Sequence, residues 1–181
     1  HPSGLYLVVA FIDKLKVLSV LLGEFYWVRD IPIRQCTTIS MSTGGNFIAA
    51  NSASTISIFD IFTGDVVSSL RGHSSKIRSI TWMHLDSRIA TIGSEGAVYY
   101  WDVFPSGKKR PEGFQDPKSS ILAGAAYNDR SKVFVSLSDF RLREYVIVPP
   151  IDTEVPDEPR ELEMNSSIST MIVDDHKRIL F

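Results

Sequence analysis

The residues of this chain with the capacity for acid–base, nucleophilic or metal chemistry are few and scattered: four histidines, one cysteine and 21 carboxylates in 181 residues. A histidine beside a carboxylate can act as a general base, and two histidines on one face can bind a metal. His73 is the best placed of the four, with Glu95 and Asp139 as carboxylates at tight turns. A hydrolase or lyase would need such groups to converge on one channel. His1, His84 and His176 sit at turns, with no spacing that puts two on one face. There is no Gly-x-Ser-x-Gly elbow, no P-loop, no Gly-x-Gly-x-x-Gly and no acid-rich calcium loop; Gly44-Gly45 reads as a hairpin turn. Cys36 has no partner for a disulfide or a cysteine zinc site and reads as a small buried apolar residue. The expectation is a protein that is not an enzyme, with no cofactor and no metal.

The elements that would position any such groups follow from composition and period. Hydrophobic residues make up 44% of the chain and charged ones 22%, enough apolar material for a core at ordinary charge density. A net charge of -2 leaves no basic footprint for nucleic acid. The apolar run Leu5 to Ile12 is broken by Asp13, Lys14 and Lys16, so no membrane span is expected. A lone cysteine fits a reducing compartment such as the cytosol better than secretion.

Turn signals recur at a nearly constant interval. They are Pro2-Ser3-Gly4, Thr43-Gly44-Gly45, Leu85-Asp86-Ser87, Asn128-Asp129-Arg130 and Asp174-Asp175-His176, centred at 3, 44, 86, 129 and 175, with steps of 41, 42, 43 and 46. Short runs rich in Val, Ile, Tyr, Phe and Thr surround them, such as Phe47 to Ala50, Ile56 to Phe59, Ile77 to Trp82 and Val98 to Trp101. β-Branched and aromatic residues pack well on a pleated, half-buried surface, so these runs predict strands. No window keeps a helical stripe over three turns. Three or four strands per unit of about 42 residues is the signature of a β-propeller blade.

The third unit carries the marks of a WD repeat: Gly72-His73, then the strand Ile77 to Trp82, then Trp101-Asp102 closing a later strand. The chain resembles the WD-repeat family on these residues. The resemblance implies a blade held by hydrogen bonds among a His, a Ser or Thr, a Trp and a turn acid, which map to His73, Thr91, Trp101 and Glu95. It also gives His73 a structural role rather than a catalytic one. The neighbouring units are degraded copies, with Phe59-Asp60 in place of Trp-Asp, Ala53 at the turn acid, and Tyr145 in place of the Trp while Asp139 is kept.

A narrower resemblance, to the cilia- and flagella-associated WD-repeat proteins of the axoneme, rests on residues 1–21, 72–82 and 95–108. It implies a non-catalytic protein–protein scaffold in a larger protein with two tandem propellers and a long coiled coil, localised to the cytoskeleton of the cilium or flagellum. Its partners would be axonemal or dynein-associated proteins and tubulin, in motility or in dynein-arm regulation or assembly, with neither nucleic acid nor membrane. The other reading is a general cytosolic WD-repeat adaptor that presents peptides to a complex.

In such propellers the loops before the innermost strands line one rim where partners bind, which points to Lys76, Arg78 and Arg141. Two charged loops are further docking candidates. One is the basic hairpin loop with Lys108, Lys109 and Arg110; the other is the acidic, Pro-rich loop 149–160 with Asp157 and Glu158. Proline removes backbone donors, so that loop reads as an extended connection. Asn165-Ser166-Ser167 fits a glycosylation sequon, an accident in a cytosolic protein.

The fold class expected is all-β, a WD-repeat β-propeller of about four blade equivalents. The expected divisions are a partial blade at 1–34 with second to fourth strands, a degenerate blade at 35–72, the best-matching blade at 73–117, a degenerate blade at 118–164, and the start of the next at 165–181. Both ends read as cut, which suggests an arc of a seven- or eight-bladed ring whose open edges favour self-association.

Overall fold

The computed structural model describes residues 1–83, 85–105, 107–110, 113–115, 120–126, 132–146, 159–173 and 179–180. All regular structure among them is β. Among the described residues, five antiparallel sheets follow one another in sequence. The first holds β1 (Tyr6–Ala10), β2 (Lys14–Leu21) and β3 (Glu24–Pro32), and the second β4 (Ile39–Met41), β5 (Phe47–Ser52), β6 (Thr55–Asp60) and β7 (Val66–Arg71). The third holds β8 (Ile77–Met83), β9 (Arg88–Gly93) and β10 (Ala97–Asp102), with an outer strand in two pieces, β11 (Lys108–Lys109) and β12 (Phe114–Gln115), both paired with β10. The fourth holds β13 (Ile121–Ala126), β14 (Lys132–Leu137), β15 (Arg141–Val146) and β16 (Arg160–Glu163). The fifth is β17 (Ile172–Val173) with β18 (Ile179–Leu180).

Each sheet is a meander, and the sheets pack face to face. Successive side chains on a strand point to opposite faces, so one strand serves two interfaces. On β6, Ile56 and Ile58 face the third sheet while Phe59, beyond a bulge, faces the first. On the third sheet, Ile89 and Trp101 face back to the second, and Ala90, Ile92, Val98 and Tyr100 face on to the fourth. A last cluster of Ala125, Phe134, Leu142, Ile168 and Met171 joins the fourth sheet to the fifth. Each Val, Leu, Ile, Phe or Met among them contributes about 1.5–3 kcal/mol when fully buried. The strands β4, β8, β13 and β17 come together from successive sheets and are therefore the innermost.

Bulges repeat with the units. The β8–β9 and β13–β14 pairs shift register at Ile77/Ser79 and Ile121/Ala123. The β2–β3 and β6–β7 pairs shift at Val17/Leu18 and Ile58/Phe59. A bulge adds local twist, so its repetition gives each sheet a similar shape for stacking.

Polar links cross the interface between the second and third sheets. The Trp82 indole donates to Ser40 O at 3.1 Å and the Thr38 hydroxyl to Ile77 O at 3.2 Å. The Asp86 carboxylate accepts from the Thr43 and Gly44 amides at 2.7 and 2.6 Å.

On the first sheet, Leu7 and Leu18 occupy the register positions that Ile89 and Trp101 hold on the third. Leu7 and its neighbours Leu5, Phe25 and Trp27 are exposed, whereas Ile89 and Trp101 are sealed by the preceding sheet.

Candidate functional site

The third sheet buries a line of four polar side chains. Trp101 and Thr91 face the same way on the paired strands β10 and β9, and His73 descends on them from the segment before β8. The Trp101 indole N–H donates to Thr91 Oγ1 at 2.8 Å. His73 Nε2 lies 2.7 Å from the same oxygen, and His73 Nδ1 lies 2.5 Å from Glu95 Oε1. A carboxylate can only accept, so the imidazole proton sits on Nδ1, aimed at Glu95; with the ring neutral, Nε2 is left to accept from the Thr91 hydroxyl, which also lies 3.4 Å from Tyr99 O.

Burial pushes the His73 pKa below its ordinary value, against the pull of Glu95, and Lys109 adds to the lowering. For Glu95, burial pushes the carboxyl upward, but its own backbone N–H and the His73 hydrogen bond outweigh it and hold the group below the usual carboxylate range. A neutral imidazole donating to a carboxylate is the state that satisfies both.

Close approach around this line explains two glycines. A Cβ on Gly93 would meet Glu95 Oε2 at 2.2 Å and His73 Nδ1 at 2.5 Å. One on Gly72 would meet the Trp101 ring at 3.0 Å. Tyr99 closes the line from outside, its ring 4.7 Å from that of His73, with Lys109 Nζ 3.2 Å from the tyrosine centroid.

The second sheet solves the same problem differently. At the register positions of Thr91 and Trp101 it carries Ala50 and Phe59, so the hydroxyl acceptor and the indole donor are absent together. Asn51, next along β5 and 1% exposed, takes over. Its Oδ1 accepts from the Thr37 and Thr38 amides at 2.9 and 2.8 Å. Its Nδ2 donates to Thr37 Oγ1 at 3.1 Å and Ala53 O at 3.2 Å. One amide therefore binds the segment before β4 to the β5–β6 turn, whose Ala53 takes a φ of 53°.

The two polar centres shape opposite walls of one groove of about 450 Å³, lined by Gln35, Thr37, Asn51, Ala53, Ser54, Ser74, Ser75 and Lys76. Asn51 fixes one wall. The other is fixed from the third sheet, where Glu95 Oε1 accepts from the Ser74 amide at 3.3 Å and Lys76 O accepts from the Ser94 amide at 2.8 Å. The groove opens beside the start of the innermost strands β4 and β8.

Comparison with known proteins bears on what such an edge belongs to. The chain is 34% identical over 150 residues to mouse cilia- and flagella-associated protein 57, covering 80% of this chain and 11% of that protein. It is 32% identical over 114 residues to cilia- and flagella-associated protein 57 A of Tetrahymena thermophila, covering 62% of this chain and 9% of that one. The chain thus spans about a tenth of the length of these relatives. Among solved structures, the β-propeller domain of Cps50 (Swd1) from Myceliophteria thermophila matches with a TM-score of 0.74 at 13% identity, over 93% of this chain and 59% of that domain. The chain has the β-propeller fold. No protein-family model matches it.

In this propeller chain the rim residues expected from sequence have different surroundings. Lys76 lines the groove and forms no ion pair among the described residues. Arg78, at the start of β8, donates to Ser94 Oγ at 2.7 Å. Arg141 begins β15, two strands out from β13, and donates to Glu161 Oε2 at 3.1 Å.

The basic loop expected at Lys108, Lys109 and Arg110 is instead an outer strand and its exit. Lys108 and Lys109 form β11 against Asp102 and Trp101, and Arg110 pairs with Asp102 at 2.9 Å. A lysine on an edge strand still serves there, because a charge discourages pairing with another sheet. Asp157, Glu158 and most of the acidic loop 149–160 lie outside the described residues. Asp139 accepts from the Arg141 amide in its own turn and does not join His73 and Glu95.

Sequence reasoning missed Asn51. A polar residue at a strand end reads as part of a turn. The available signal was negative: a unit that lacks the His, Thr and Trp together still has to satisfy the amides before its innermost strand.

Proposed function

We propose that this chain is part of a non-catalytic protein–protein interaction scaffold of the ciliary or flagellar axoneme, acting in motility or in the regulation or assembly of dynein arms. The groove between the second and third sheets carries this reading. It is preformed by two buried polar centres, and the likeness to cilia- and flagella-associated proteins supplies the cellular setting. Its walls offer hydroxyls, an amide and one ammonium, groups that hold an extended segment of another protein. The polar line His73–Glu95 is spent on shape: the buried imidazole is bonded to Glu95 Oε1 on one side and to Thr91 Oγ1 on the other.

The uncovered face of the first sheet suits packing against another sheet, either a further blade or a second copy, because its register positions are those sealed in the third sheet.

Cross-linking mass spectrometry on isolated axonemes from cells that express the full-length protein tests the reading. The expected result is cross-links from Lys76 to dynein-associated or other axonemal proteins. Absence of the protein from axonemes contradicts the reading.

A further inference from the structure

We propose that the groove between the second and third sheets is specific for an extended peptide segment of a partner protein that places an Asp or Glu side chain on Lys76. The inference rests on the reading of the chain as a protein-binding scaffold and adds the chemistry of what is bound.

Charge is the first argument. Lys76 is the one charged residue among those lining the groove, no carboxylate lines it, and Lys76 has no ion pair among the described residues. A cation at the mouth of a groove without counter-charge attracts an anion and repels another cation. The nearby Arg78 turns its Nε–H to Ser94 Oγ and does not line the groove, so the cation presented by the lining is Lys76.

Preorganisation is the second. Asn51 is fully engaged, so the Thr37 wall is set before any ligand arrives. The Lys76 wall is held by its own carbonyl on the Ser94 amide and, through Ser74, by Glu95. Gln35 and Ala53, both lining the groove, hold φ values of 55° and 53°. Such left-handed backbone in residues other than glycine persists where surrounding bonds determine it, and it recurs at ligand clamps. Rigid walls lower the ordering cost of binding. The Thr37, Ser54 and Ser74 hydroxyls and the Gln35 amide can then serve the backbone of an extended strand, while the ammonium reads a carboxylate.

The test is to pan a random dodecapeptide phage library on the chain and to measure resynthesised, fluorescein-labelled peptides by anisotropy. The selected peptides should share an Asp or Glu at a fixed position. Replacing it with Asn or Gln should weaken binding about tenfold, as should Lys76→Met, since a charge-assisted hydrogen bond is lost in either case. Lys108→Met, on the outer strand, should leave affinity unchanged. Peptides without a shared acid, affinities indifferent to Lys76→Met, or no selected peptides at all would overturn the proposal. If acidic peptides bind through Lys76 while the protein is missing from axonemes, the axonemal setting fails and the groove chemistry stands. If the protein cross-links in axonemes and Lys76 is indifferent, the reverse holds.

Discussion

The second and third sheets carry the same four-stranded plan and the same task at their rim, yet they hold it with different chemistry. In the third, a line of Trp101, Thr91, His73 and Glu95 runs from the sheet interior up to the Ser74 amide. In the second, Ala50 and Phe59 leave nothing to bond inside, and a single Asn51 reaches the Thr37 and Thr38 amides directly. The difference shows that polar groups in a core are lost in pairs. Phe59 without an indole needs no Thr at position 50, and Thr91 without an indole would forfeit a donor. It also shows what must be kept in every unit: the amides of the segment before the innermost strand need an acceptor.

The largest effect expected from breaking this comparison is at Trp101. Trp101→Ala removes a 1%-exposed indole from the interface between the second and third sheets and should cost about 3–5 kcal/mol, read by denaturant unfolding. Near-native stability would place Trp101 outside the blade interior.

A smaller effect tests the pairing rule itself. Phe59→Trp alone puts an indole N–H opposite Ala50 and should destabilise by about 1–3 kcal/mol, through crowding and an unmet donor. Adding Ala50→Thr should restore about 1 kcal/mol of that loss. A double variant no more stable than the sum of its single changes would contradict paired loss.

The smallest effect is with pH, and it distinguishes the two centres: burial raises the Cys36 thiol beside Asn51 further into the alkaline range, whereas the third sheet's centre holds a histidine and a carboxylate. His73 has a folded pKa below its ordinary value, so between the two values the unfolded chain binds more protons and stability falls as pH drops below about 6.5. Glu95, also lowered, loses its contribution only further down, through the carboxylate range. The melting temperature should decline from pH 7.5 to 5.5, and His73→Asn should flatten that decline. An equally steep decline in the variant would assign the pH dependence to other groups.

Much of the fold was legible in the sequence because a unit of about 42 residues left regular marks. Turn residues and runs of β-branched and aromatic residues foretold strands such as β5, β6, β9 and β10, and the Gly-His and Trp-Asp pairs pointed to the residues of the third sheet's polar line. Two things were not legible. The Lys108-Lys109 pair read as a loop because charge usually marks solvent, but its main chain pairs with β10 while one side chain stacks over Tyr99. Asn51 was hidden because its partners lie 13 and 14 residues earlier, beyond any local motif. Pairing across a sheet, not sequence proximity, creates that contact.

The central claim is that two independent polar centres each fix one wall of the same groove, and amide hydrogen exchange measured by NMR tests it most directly. In Asn51→Ala the Thr37 and Thr38 amides should lose protection while Ser74 and Ser94 keep theirs; in Thr91→Val the Ser74 amide should lose protection while Thr37 and Thr38 keep theirs. Loss of protection at both walls in either variant, or at neither, would contradict the account.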